Sequence, residues 1–174
     1  CDDCGLREGA TQPVPGCGAL DAPLMMVGEA PGAEEDRCGI PFSGPAGQLL
    51  DRSLSKIGVR RSRVYITNVV RYRPPENRMP RTGEIAACVT HLLAEIRIIR
   101  PRIIAALGAV AAQTLLGTKD SLRSLRGKYV DAGGFRVFPM VHPAFALRNL
   151  ERDPSVLASF ETDLRRVCAD AGLP

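Results

Sequence analysis

Leu24-Met25-Met26-Val27-Gly28-Glu29-Ala30-Pro31-Gly32 is the stretch that decides the fold. Four apolar residues in a row, with no polar alternation, read as a strand buried on both faces. The turn at Gly28–Gly32 ends it. Pro41-Phe42-Ser43-Gly44-Pro45-Ala46-Gly47 follows, with one exposed-looking aromatic, Phe42, between glycine-rich turns. A helix then opens at Pro45. This order of strand, glycine turn, loop and helix is how an open α/β sheet builds a crevice at the carboxyl ends of its strands. Two more strand ends carry polar tips, at Thr67-Asn68 and at His142-Pro143. Three such tips and one aromatic can surround a single flat heterocycle.

Working outward, residues 45–58 read as a helix, with Leu49, Leu50, Leu54 and Ile57 at helical spacing and Gly58 as its stop. Residues 64–70 read as a second strand. The loop Arg71–Arg81 has no apolar period and is rich in proline and arginine. Thr82 is the expected N-cap of a helix running to Arg100, with Ile85, Leu92, Ile96 and Ile99 as its buried stripe. Residues 102–107 give a third strand, and Gly108 opens a helix that ends at Gly117. Residues 136–141 give a fourth strand. A last helix covers 154–170, with Leu157, Phe160, Leu164 and Val167 inward. Residues 1–23, rich in Gly and Pro, read as an irregular arm. Strands alternating with helices predict a parallel, doubly wound sheet.

The chain of 174 residues is the size of one domain, so a single domain over 1–174 is expected. Its 45% hydrophobic content fills a sizeable core. The net charge is only +4, but all basic residues except Lys56, Lys119 and Lys128 are arginine. Arginine suits bidentate phosphate contacts, which makes a nucleic-acid partner plausible; biased base composition would give the same ratio. No apolar run is long enough to span a membrane, and no leader segment is evident, so a cytoplasmic, nucleoid-associated monomer is expected. Six cysteines in a chain this long do not make a disulfide scaffold. The C-x-x-C of Cys1 and Cys4 points instead to metal or redox chemistry.

Taken in order, several segments resemble the uracil-DNA glycosylase superfamily, in its iron–sulfur (family four) branch. They are Cys1-Asp2-Asp3-Cys4, Gly28–Gly32 with Glu35-Asp36, Gly39–Gly47, Thr67–Val70, Arg73-Pro74-Pro75 with Asn77-Arg78, Pro80, Cys88, Pro101, and His142-Pro143 with Leu147-Arg148-Asn149. Each alone is weak; their order and spacing are specific. The resemblance implies a three-layer α/β/α sandwich around a four-stranded parallel sheet. It also implies a DNA-repair enzyme that flips uracil out of DNA and excises it by hydrolysis, leaving free uracil and an abasic site.

The resemblance places the base between Gly28, Ala30, Phe42, Asn68 and His142. Phe42 would stack on the extruded base, which returns roughly 1–3 kcal/mol. Asn68 has one donor and one acceptor, so it matches uracil O4 and N3–H together. Cytosine presents the reverse pattern. His142 would aim a donor at uracil O2 and stabilise the leaving anion. Glu29 is the candidate for positioning water or steadying the cationic sugar, although Ala30 occupies the slot of the water-activating Asp in the best-known relatives. DNA contacts are expected from Ser43, Arg73, Arg78, Leu147 and Arg148, with Leu147 or a neighbour wedging into the duplex. The N–H groups of the Gly44–Gly47 turn could receive a phosphate at the helix start. Ala144 stands where a phosphate-binding Ser is common.

The branch binds a [4Fe–4S] cluster through four cysteines. Cys1, Cys4 and Cys88 fill three of those places, and Tyr72 stands at the remaining one. Cys17 in the arm is the favoured fourth ligand. His91, one turn after Cys88, is the alternative, which would also make an acceptable zinc set; the third is Tyr72 ligating through oxygen, or a cluster that is incomplete or lost. Otherwise His91 reads as a helix-packing residue. On any of these readings the metal is structural and pins the N-terminal arm.

Two other function classes compete. One is a relative that binds uracil or DNA without turnover; the lack of His between Tyr72 and Arg81 argues against covalent trapping of the product. The other is a nucleotide-binding metabolic enzyme, for which the phosphate-binding glycine fingerprints are missing.

Overall fold

The computed structural model describes residues 1–174. Its strands are β1 (Cys17–Gly18), β2 (Leu24–Gly28), β3 (Tyr65–Asn68), β4 (Ile103–Leu107), β5 (Val130–Asp131) and β6 (Arg136–Met140). They form one sheet in the order β1-β3-β2-β4-β6-β5. The four central strands are parallel, as the alternation of strands and helices predicts. The sheet is wider than the expected four strands, because β1 and β5 add short antiparallel edges. Two-residue strands leave no readable apolar pattern.

The helices are α1 (Ala33–Cys38), α2 (Pro45–Lys56), α3 (Thr82–Ile99), α4 (Ala109–Leu116), α5 (Leu122–Leu125), α6 (Pro143–Arg148) and α7 (Pro154–Asp170). Side chains alternate across each strand, so each central strand feeds two cores. Leu24, Met26, Ile103, Ala105, Leu107, Phe138 and Met140 face Leu50 and Leu54 of α2 and Phe160, Leu164 and Val167 of α7. Met25, Val27, Ile104, Ala106 and Val137 face Cys88, Leu92, Ile96 and Ile99 of α3 and Ala111 and Ala112 of α4. Each large side chain buried this way contributes about 1.5–3 kcal/mol. Two helical layers therefore cover the sheet.

Several local expectations change. Thr82 is the first residue of α3 rather than its cap. Arg81 takes the cap position, and the Glu84 carboxylate reaches back to its N–H at 2.6 Å. The arm is less irregular than its composition suggests, since it holds a 3₁₀ turn at Leu6–Gly9 and strand β1. The short helices α1, α5 and α6 were not legible, since four to six residues show too little of a helical period. No helix is long and apolar enough to cross a membrane.

Candidate functional site

Strand β2 pairs with β3 on one side and with β4 on the other, so the chain reverses its direction of winding there. Crevices form at such switch points, beyond the carboxyl ends of the strands. Here the crevice is a cleft of about 1360 Å³. Glu29 and Ala30 after β2, Asn68 at the end of β3, Gly108 after β4 and His142 after β6 all line it, with Phe42 from the loop before α2. The structure thus brings together the residues expected to surround a base.

Asn68 is 2% exposed. No hydrogen bond inside the protein engages its side-chain amide, and none of its polar atoms is sealed away from solvent without a partner. Its donor and acceptor are therefore free toward the cleft. Its backbone is held from below: the Arg71 guanidinium donates to the Asn68 carbonyl and pairs with Glu95 at 2.8 Å. Glu95 also accepts from Thr67 at 2.7 Å, which fixes the end of β3.

Gly28 makes room for this amide. A Cβ there would lie 2.4 Å from Asn68 Oδ1 and 2.6 Å from Phe42 Cζ. Any side chain would push apart two walls of the cleft.

Phe42 is the main correction to the sequence reading. It is 5% exposed rather than open to solvent, and it belongs to one hydrophobic core. Its ring still lines the cleft and stacks on the His142 imidazole, with centroids 5.7 Å apart and planes inclined by 30°. A base cannot enter between two rings this close, so the pair forms one continuous wall. The backbone at Phe42 has φ 54°, a left-handed conformation that non-glycine residues avoid. Two features hold it. Gly47 packs so closely that a Cβ would meet the Phe42 carbonyl oxygen at 1.7 Å. Arg61 donates to the Phe42 carbonyl at 3.2 Å and also to that of Pro41, and pairs with Asp51 at 2.7 Å.

His142 caps α6. Its Nδ1 accepts the Ala144 backbone N–H at 3.1 Å. An atom that accepts an N–H carries no proton, so the neutral ring holds its proton on Nε2. Nε2 makes no bond within the protein and is a donor available to a ligand. Burial, with Arg148 adding to it, draws the His142 pKa from 6.5 down to about 4. The unfolded chain therefore binds this proton between pH 6.5 and 4 while the folded chain does not, and stability falls as the pH drops through that window. Unfolding in urea at pH 7 and pH 4.5 is expected to show His142→Asn losing less stability on acidification than the wild type. The difference should be on the order of 2 kcal/mol; equal losses would mean that His142 titrates normally.

Glu29 makes no side-chain hydrogen bond in the protein, and burial raises its carboxyl pKa. Ala30 lies beside it on the cleft wall.

The expected DNA contacts are spread differently from the sequence reading. Ser43 does not line the cleft; its hydroxyl lies 3.1 Å from the Cys38 thiol. The Gly44 N–H is already taken by Glu35 Oε1 at 2.8 Å, and Gly32 N–H donates to Glu35 Oε2 at 3.0 Å. That carboxylate ties the two glycine turns together and occupies the place offered to a phosphate. Much of the arginine loop is neutralised. Arg71 is buried against Glu95, and Arg78 grips both Glu84 oxygens at 2.7 and 2.9 Å. The Arg78 hydrogen bonds lead in holding the Glu84 pKa down at about 2. Arg73 donates to Asn77 at 2.7 Å.

At the mouth of the cleft, Arg148 and Arg123 are exposed, with no carboxylate partner. Arg123 escaped the sequence reading because α5 is too short to be legible. Leu147 packs on a core, whereas Phe145, two residues earlier, is 47% exposed at the rim. Met79 in the arginine loop is 66% exposed and also lines the cleft.

The cysteines are all free of disulfides. Cys88, on α3, is buried beside the Cys4 thiol and the Arg71 backbone N–H, and burial raises its pKa. Cys1 lies with its Sγ 3.5 Å from His91 Nε2. Cys1, Asp3 and His91 have ligand atoms within 4.8 Å of one another. His91 is thus exposed rather than packed under α3. Cys17, by contrast, sits in edge strand β1 opposite Ile66, and Tyr72 is buried in the core around α3.

An open, mostly parallel α/β sheet with a buried amide and a half-buried imidazole lining one cleft beyond its strand ends defines the class of α/β proteins that bind a ligand at the carboxyl ends of their strands. The comparisons with known proteins narrow this class. The family model described as "Uracil DNA glycosylase superfamily" matches residues 15–165. A type-4 uracil-DNA glycosylase of Thermotoga maritima is 48% identical over 151 residues, covering 86% of this chain and 79% of the relative. The type-4 uracil-DNA glycosylase of Pyrobaculum aerophilum is 43% identical over 172 residues, covering 94% and 86%. A type-5 uracil-DNA glycosylase of the same organism is 34% identical over 178 residues, covering 92% and 77%. The chain belongs to the uracil-DNA glycosylase superfamily.

Proposed function

We propose that this chain excises uracil from DNA as a monofunctional, type-4-like uracil-DNA glycosylase. The observation that carries the reading is the convergence of a free Asn68 amide and an available His142 Nε2–H on one cleft walled by Phe42.

The reaction breaks the C1′–N1 bond, leaving cationic character on the sugar and negative charge on uracil. Flipping the nucleotide out costs a few kcal/mol. The cleft recovers this through the Phe42–His142 wall and the Asn68 pairing. Asn68 donates to O4 and accepts from N3–H. His142, neutral because of its low pKa, donates from Nε2 to O2 as charge develops there. Glu29 faces the sugar side, where its carboxylate steadies the cation and orients water. Water adds its oxygen to C1′ and loses a proton, and the departing uracil takes up a proton.

Arg148 and Arg123 neutralise phosphates at the mouth. Phe145 fills the gap left by the flipped base, the place first expected of Leu147. Cys1, Cys4 and Cys88 would hold a structural [4Fe–4S] cluster. Three free thiols with a backbone N–H beside Cys88 suit such a group. The cluster would tie the N-terminal arm to α3 and so steady the arginine loop between them.

The test is a labelled oligonucleotide with one uracil, treated with alkali after incubation. Strand cleavage and released uracil support the reading; tight binding without free uracil overturns it in favour of a non-catalytic relative.

Two predictions follow from the cleft walls. Gly28→Ala is expected to lower kcat/KM at least tenfold or so, since relieving a sub-3 Å contact must displace Asn68 or Phe42. Circular dichroism should show the fold intact, and an unchanged kcat/KM would mean that this spacing is not used. Arg61→Ala removes charged hydrogen bonds from the Phe42 loop. KM should rise about tenfold with a smaller change in kcat, as a loss of roughly 1.5 kcal/mol in positioning requires. Steady-state kinetics decide it, and a fall confined to kcat would contradict the clamp.

A further inference from the structure

We propose that His91 is the fourth ligand of the metal centre, completing Cys1, Cys4 and Cys88 around a three-thiolate, one-imidazole [4Fe–4S] cluster. This rests on the iron–sulfur reading given above and deepens it.

Spacing and contact both support His91. It follows Cys88 by three residues on α3, so the two side chains are neighbours one turn apart on the helix surface; Cys4 follows Cys1 at the same interval in the arm. Cys4 meets Cys88 at the buried end. Cys1 meets His91 at the exposed end, with Sγ to Nε2 at 3.5 Å. The arm thus meets α3 twice, Cys4 against Cys88 and Cys1 against His91. Cys1 and His91 are both exposed, so they can part to admit a cluster without disturbing the core.

The competing donors are placed less well. Cys17 is held in edge strand β1 by its pairing opposite Ile66. Its neighbour there is Tyr65 rather than Cys4 or Cys88. Tyr72 is 6% exposed among Leu6, Cys88 and Leu92. Its phenol oxygen is a hard donor, ill suited to a soft, sulfide-rich centre. Asp3 has the same weakness, and its carboxylate already accepts from the Cys1 thiol at 3.1 Å.

Imidazole in place of thiolate removes one negative charge from the ligand set and raises the reduction potential. The chain should therefore carry a cluster that is easier to reduce than its His91→Cys variant.

The test uses anaerobically purified full-length protein. Iron and sulfide are assayed, and the reduced cluster is examined by pulsed electron paramagnetic resonance. The expected result is about four irons per chain, strong coupling to a directly bound histidine nitrogen, and loss of that coupling in His91→Cys. In that variant the potential falls while the iron content holds. His91→Ala should lose iron, and Cys17→Ala should keep it. Four irons with no bound-nitrogen coupling overturns the proposal, as does full iron in His91→Ala or iron lost in Cys17→Ala. Loss of iron in Asp3→Asn with retention in His91→Ala assigns the site to the carboxylate instead. One zinc per chain and no iron overturns the cluster itself. Uracil release by the same samples keeps the two readings separate: excision without nitrogen coupling sinks the ligand assignment and leaves the glycosylase standing.

Discussion

Replacing His142 with alanine is expected to lower kcat for uracil excision by roughly 10²–10³-fold, with a much smaller change in KM. One preorganised donor aimed at developing negative charge is worth about 2.7–4 kcal/mol. His142 meets the conditions for such a donor. Its Nδ1 is committed to the Ala144 N–H, so its tautomer is fixed before substrate arrives. Its low pKa keeps the ring neutral, so the free enzyme carries no buried cation to solvate. A neutral donor gains most as uracil becomes an anion, which is why the loss should fall on kcat. Single-turnover assays measure it. A loss carried by KM with kcat unchanged would mean that His142 binds substrate and transition state equally.

Asn68→Asp is expected to invert the recognition. Ionised, the new side chain only accepts, and it faces uracil O4, itself an acceptor. Protonated, it offers an O–H to cytosine N3 and a carbonyl to the cytosine amino group. Selectivity for uracil over cytosine should therefore fall by roughly 10²-fold or more, since a site built around hydrogen bonds discriminates through the groups it leaves unpaired. The effect should strengthen below neutral pH, where more of the carboxyl is protonated. Paired oligonucleotides carrying uracil or cytosine at one position provide the measurement. Unaltered selectivity would show that the discrimination lies elsewhere in the cleft.

The sequence carried the four central strands because β2 and β4 are continuous apolar runs and β3 and β6 each hold a short apolar stretch between helical segments, and α2, α3 and α7 because each is long enough to show its period. The site was legible where a residue type ends a strand, as with Asn68 and His142. It was less legible where burial depends on distant chain. Phe42 looked exposed between glycine turns, but Arg61 and Gly47 draw its loop inward. The arginine loop looked cationic, but Glu84 and Glu95, both on α3, neutralise part of it. Glu35 counted toward the family resemblance, but its accepting from the N–H groups of Gly32 and Gly44 together was not legible. Long-range ion pairs have no sequence period. The contact of Cys1 with His91 was open only as one of several options, because the path of the arm decides it.

A crystal structure with a flipped or free uracil tests the central claim most directly. The account predicts uracil at the ends of β2 and β3, with the Asn68 amide on O4 and N3, His142 Nε2 within hydrogen-bonding distance of O2, and the Phe42–His142 wall alongside. Uracil seated elsewhere, or seated here with its O2 turned away from His142, would contradict it.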